Sequence, residues 1–197
     1  MGCVSRRNGI SARPPAGNRR VDSDRSPAVQ YPVVPVILGI LSDTHGHADT
    51  ARAAVELLLA RGAEFLIHCG DVGSTAVLDA LAGHPAATVW GNTDFDHHRL
   101  ANYSRHLGIK HDHPALHLEL DGQRICVTHG DDLRLVRQLI ADRACDYLFV
   151  GHTHVASDRT QNGVRVINPG ALHRAIPKTV ARLDLSTGAL QSIIVDT

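Results

Sequence analysis

Val36-Ile37-Leu38-Gly39-Ile40-Leu41-Ser42-Asp43-Thr44-His45-Gly46-His47 is the stretch on which the reading of the fold turns. The run from Val36 to Leu41 has no polar side chain, as expected of a strand covered on both faces; a strand with one wet face would alternate. It breaks at once into a turn holding an aspartate and two histidines. The same device recurs downstream. Phe65–Cys69 ends in Gly70-Asp71-Val72-Gly73, and Ala87–Trp90 ends in Gly91-Asn92-Thr93-Asp94. Arg124–Thr128 ends in His129-Gly130-Asp131, and Tyr147–Val150 in Gly151-His152-Thr153-His154.

Between these units lie helical spacings. Ala51, Ala54, Val55, Leu58 and Leu59 share one face, and Gly62 suits the C′ stop. Ser74 suits the cap of a helix through about Leu81, and Leu133, Val136, Leu139 and Ile140 mark a third. Residues 95–114 read as irregular and His-bearing. Hairpins are expected at Asp121-Gly122, Asn162-Gly163 and Ser186-Thr187-Gly188. Strand–loop–helix units followed by hairpins predict mixed sheets with helices outside. In such α/β folds ligands gather at the carboxyl edges of strands, where all five polar turns fall.

The chain has 197 residues, 43% of them apolar, enough for one globular domain with its own core. Formal charge is zero, but residues 1–35 hold six arginines and two aspartates, leaving the remainder at −4. That charge offers no obvious phosphate-tracking surface on the core, so nucleic acid is not indicated as a partner, and bound cations would offset the deficit. Residues 1–35 mix Arg, Pro, Ser and Gly without periodicity and read as a flexible extension to a domain over residues 36–197. No apolar run reaches the roughly 20 residues of a membrane span, and no secretory h-region is present. The four cysteines (3, 69, 126, 145) have no framework spacing, which fits a reducing, cytoplasmic setting. Neither a Gly-x-Ser-x-Gly elbow nor a phosphate-binding loop with its lysine occurs.

The residues at the five edges are Asp43, His45, Asp71, Asn92, His129, His152 and His154. Mixed carboxylate and imidazole ligands suit Mn, Fe, Co, Ni or Zn rather than all-oxygen Ca or Mg sites. The two-residue spacing of Asp43/His45 and of His152/His154 predicts paired side chains on one side of an extended segment. Alone, an Asp-x-His or a Gly-Asp is ordinary turn chemistry. Their occurrence together, each after a hydrophobic strand, is not.

This ordered set, with Asn168-Pro169-Gly170, resembles the calcineurin-like metallophosphoesterases, and the compact size is most similar to their small, YfcE-like phosphodiesterase branch. The resemblance runs from about Val36 to the C-terminus. It implies a four-layer α/β/β/α sandwich of two mixed sheets with outer helices and a binuclear site, in which Asp43, His45 and His154 hold one ion. Asn92, His129 and His152 would hold the other, and Asp71 would bridge them. Manganese comes first among the expected ions, with nickel, cobalt, iron or zinc as alternatives. The implied reaction is hydrolysis of a small phosphodiester by in-line attack of a metal-bridging hydroxide. Asp71, Asn92, His129 and Asp43 would be its catalytic residues, acting through the metal-bound hydroxide. Asn92 would also contact substrate.

One position departs from the family. Many relatives have His after the asparagine, which looks like the acid for the leaving oxygen; here it is Thr93, so diesters with acidic leaving groups are expected over alkyl monoesters. His97 or His98 is a candidate stand-in, with His98 a candidate substrate contact. Asp94 and Asp131 could orient ligands or be solvent-exposed turn residues. His106, His111, His113 and His117 read as an exposed loop beside the cleft. The rival class is a non-catalytic, Vps29-like protein-interaction scaffold on the same fold. Self-association as a homo-oligomer stays open.

Overall fold

The computed structural model describes Met1 and residues 36–196, so the expected extension and Cys3 lie almost wholly outside the described residues. The first half runs β1 (Ile37–Leu41), α1 (Ala48–Ala60), β2 (Phe65–His68), α2 (Thr75–Leu81), β3 (Ala86–Val89), α3 (His97–His106) and β4 (Lys110–Asp112). The second runs β5 (Ala115–Leu120), β6 (Gln123–Thr128), α4 (Leu133–Ala141), β7 (Tyr147–Phe149), β8 (Ser157–Gln161), β9 (Val164–Asn168), β10 (Thr179–Asp184) and β11 (Leu190–Ile194).

These strands form two mixed sheets, ordered β11-β10-β1-β2-β3-β4 and β5-β6-β7-β9-β8. Strands β1 to β4 pair in parallel, as do β6, β7 and β9, while β10 closes antiparallel on β1. All five polar turns therefore open at carboxyl ends of parallel strands.

Alternation along the strands builds three apolar layers. Leu38, Ile40, Ile67 and Val89 meet Ile125, Val127, Phe149 and Ile167 between the sheets. Leu41 and Leu66 point the other way, into a core with Ala54, Leu58 and Leu78 of α1 and α2. On the far side of the second sheet, Cys126, Leu148 and Val166 pack on Val136 and Leu139 of α4. Each sheet thus has a helical cover, which makes the α/β/β/α order. A Cβ at Gly39 would lie 3.1 Å from the Cβ atoms of both Leu58 and Ala63, so α1 lies close on β1. The Asp121-Gly122 hairpin forms as expected, with both residues at positive φ (51° and 68°).

Two expectations need correction. Residues 95–114 are not irregular: they hold α3 and edge strand β4. Asp96 caps α3 by accepting the Arg99 N–H at 3.0 Å, but the helix buries only Leu100 and Ser104, too few to show a 3.6-residue period. β4 has three residues at a sheet edge and no apolar run. Consequently His106, His111, His113 and His117 do not form one exposed loop; His106 ends α3, His111 lies in β4 and His117 in β5. Ser74 stands at the N-cap of α2 as expected, yet its side chain makes no capping bond.

Candidate metal centre

The donor atoms of the five turns converge. Asp43 Oδ1 lies 3.2 Å from His154 Nε2, and Asp71 Oδ2 lies 3.5 Å from His45 Nε2 and 3.4 Å from His129 Nε2. His129 Nε2 is also 3.1 Å from Asn92 Oδ1, and the His129 and His152 rings are 5.1 Å apart. Two sets have donor atoms mutually within 4.8 Å: Asp43, His45 and His154, and Asp43, Asp71 and His129. Asp71 touches a member of each. Asp43, His45, Asp71, Asn92, His129 and His154 therefore meet where the two sheets abut, and His152 joins them through its ring contact with His129.

Buried polar atoms normally find hydrogen-bond partners. Here Asp43 Oδ1 and His45 Nε2 are buried without one; they approach their neighbours out of hydrogen-bond geometry. Nitrogen and oxygen donors aimed at each other in this way fit first-row divalent cations.

The backbone that aims them is not extended, which corrects the expected geometry of the two pairs. Asp43, His45, Asp71, His152 and His154 all have positive φ, from 46° to 67°. For non-glycine residues this left-handed region is unfavourable, and such strain collects at functional sites. Gly91 is required sterically, since a Cβ there would sit 2.2 Å from Asp71 Oδ1.

Surrounding groups lock the donors. His129 Nδ1 donates to the Cys69 carbonyl at 2.9 Å, which leaves Nε2 unprotonated in the neutral ring and available to a cation. Burial pushes the His129 imidazole down, but its bonds to Asp71 and the Cys69 carbonyl outweigh that and raise it. Burial likewise pushes the Asp71 carboxyl up, yet hydrogen bonds from His129 and the Thr93 N–H hold it well below the usual carboxylate range. A cation at His129 Nε2 would replace a proton there.

Asp94 is neither a solvent-exposed turn residue nor a ligand's partner. Only 2% exposed, it accepts the backbone N–H groups of Val72, Gly73 and Gly91 at 2.7–3.0 Å, tying the second turn to the third. Asp131 is exposed.

Two positioning residues escaped sequence reasoning. His68 is fully buried; the Gly70 N–H donates to its Nδ1, so Nε2–H donates to Thr44 Oγ1 at 3.0 Å. The Thr44 hydroxyl in turn donates a hydrogen bond to the carbonyl of Val72 (3.1 Å) or Asp71 (3.3 Å). Burial, then the neighbouring His129, push His68 down to about 3, so it stays neutral. Asn168 donates to the Gly151 carbonyl (2.7 Å) and Thr153 Oγ1 (3.0 Å), bracing the turn that carries His152 and His154. The Asn-Pro-Gly signal was visible in the sequence; its task was not. His98 is exposed on α3 with its ring against Asn102, and no contact joins it to the seven donors.

Facing mixed sheets with Asp, Asn and His donors at their carboxyl edges define a metal-dependent phosphoesterase. The chain belongs to the calcineurin-like phosphoesterase superfamily, whose domain profile matches residues 36–188. It is 29% identical over 136 residues to phosphodiesterase MJ0936 of Methanocaldococcus jannaschii, covering 68% of this chain and 82% of that one. To phosphodiesterase YfcE of Escherichia coli it is 29% identical over 147 residues, covering 70% and 78%. The solved structure of an archaeal phosphodiesterase superposes with a TM-score of 0.75 at 27% identity, covering 81% of this chain and 99% of that one. Vacuolar protein sorting 29 from Cryptosporidium parvum also superposes (TM-score 0.55, 19% identity, covering 81% and 96%), a likeness of fold alone. Among the described residues no helix is long and apolar enough to cross a membrane.

Proposed function

We propose that this chain is a binuclear phosphodiesterase: Asp43, His45 and His154 hold one divalent ion, Asn92, His129 and His152 a second, and Asp71 is shared. The observation that carries this is the convergence on Asp71 Oδ2 of His45 and His129, from opposite sheets, beside the unpartnered Asp43 Oδ1 and His45 Nε2. When bound, paired cations supply Lewis acidity toward phosphoryl oxygens and lower the pKa of a water. The protein's own groups do the rest. The Cys69 carbonyl fixes the His129 tautomer, and the Thr93 N–H holds Asp71 Oδ1 at 2.9 Å. Asn92 offers a neutral oxygen that does not repel phosphate. Thr93 cannot deliver a proton near neutrality, which favours diesters whose leaving group departs as a stable anion.

The proposal extends to manganese as first choice, a small diester as substrate, and residues 36–197 as the catalytic domain with residues 1–35 outside it. Free, buried Cys69, Cys126 and Cys145 support residence in the cytoplasm. Elemental analysis of the purified protein, with bis(p-nitrophenyl) phosphate turnover in Mn, Ni, Co and Zn, tests the reading. Two equivalents of metal and turnover are expected, both lost in Asp71→Asn. Metal bound without turnover on a broad diester panel would transfer the protein to the scaffold class.

A further inference from the structure

A concavity of about 300 Å³ adjoins the candidate metal centre; Thr93, Phe95, Arg99 and Leu100 form part of its wall, together with the acidic residues Asp94 and Asp96. Thr93 joins the two: its N–H is bonded to Asp71, and its Oγ1 lies 3.4 Å from His45 Nδ1. Three features of this wall work against stability. Phe95 is 90% exposed, a whole aromatic face left in water. Arg99 is the third residue of α3, where a cation meets the positive end of the helix, and no carboxylate pairs with its guanidinium among the described residues. Ser74 Oγ is buried without a hydrogen-bond partner. Local choices that contradict folding cluster where a ligand supplies the missing contacts.

We propose that this pocket is the subsite for one ester arm of the substrate, and that the arm is a nucleoside. The inference rests on the phosphodiesterase reading above. Phe95 presents a stacking face for a nucleobase, and the Arg99 fork suits the acceptor-bearing edge of the base. A volume of about 300 Å³ stands at the lower end of small-molecule sites and suits one nucleoside rather than a polymer.

Calorimetric titration of the full-length, Mn²⁺-loaded protein with adenosine 5′-monophosphate, ribose 5-phosphate and inorganic phosphate tests it. Adenosine monophosphate should bind about tenfold or more tighter than ribose 5-phosphate, the scale of one stacked base. Phe95→Ala should erase that preference and Phe95→Trp restore it, while Arg99→Ala should reduce it several-fold. Exposed Phe95 contributes nothing to the core, so loss of folding does not confound its removal. Equal binding of the two sugar-containing ligands, or a preference that survives Phe95→Ala, overturns the subsite. Turnover of bis(p-nitrophenyl) phosphate, run in parallel, separates the two ideas. A base preference without turnover sinks only the catalytic reading, and turnover without a base preference sinks only the subsite.

Discussion

Replacing Gly91 by alanine asks whether the placement of Asp71 governs the site. Gly91 does not need left-handed backbone, so alanine adds only steric bulk. Its Cβ would fall 2.2 Å from Asp71 Oδ1, 2.5 Å from Asp71 N and 2.8 Å from Asp71 Cγ. Ordinary carbon–oxygen contact needs about 3.2–3.5 Å, so the carboxylate must retreat by roughly 1 Å. It cannot swing freely, because the Thr93 N–H and His129 hold its two oxygens. A displacement of about 1 Å at reacting groups costs on the order of 100-fold in rate. Overpacking of this kind also destabilises by about 1–3 kcal/mol. Gly39→Ala is the matched control: it crowds Leu66, Leu58 and Ala63 at 2.9–3.1 Å in the core and should lower thermal stability while sparing metal content. Metal stoichiometry, diester turnover and thermal unfolding would be read for both variants. Full metal and wild-type turnover in Gly91→Ala would show that Asp71 does not organise the centre.

Asp94→Ala should cost about 2–3 kcal/mol in chemical denaturation, since it strands the buried backbone N–H groups of Val72 and Gly91 and removes the partner of the more exposed Gly73 N–H. His68 binds its proton far more weakly folded (about 3) than unfolded (6.5), so the unfolded chain holds more protons between those values. The contribution of neutral His68 is therefore complete above pH 6.5 and falls on acidification by up to about 1.4 kcal/mol per unit, a slope that His68→Gln should remove from urea titrations at several pH values. With threonine at position 93, a p-nitrophenyl diester should turn over about 100-fold or more faster than an alkyl monoester in Mn²⁺. Faster monoester cleavage in a paired assay would refute that assignment of Thr93.

What could be read in the sequence divides along physical lines. β1, β2, β3 and β7 were legible because strands buried on both faces write themselves as largely apolar runs, β6 because Asp121-Gly122 marks its hairpin, and the donors because each follows such a strand. α3 and β4 were not. A helix that buries two residues and a three-residue edge strand leave no period to detect. The left-handed conformation of Asp43, His45, Asp71, His152 and His154 was equally hidden, because it depends on tertiary contacts. His68 was invisible for the opposite reason: one histidine in an apolar strand announces neither its neutrality nor its partners.

Four of the seven donors hang from the sheet built on β1, β2 and β3, and three from the sheet built on β6 and β7. On the proposed assignment, neither half of the sandwich would own a complete coordination sphere. Ions gripped across that seam would act as rivets, and only a correctly closed sandwich could recruit them. Metal uptake during refolding should thus lag behind strand formation and coincide with closure of the interior, so that loading doubles as an inspection of assembly.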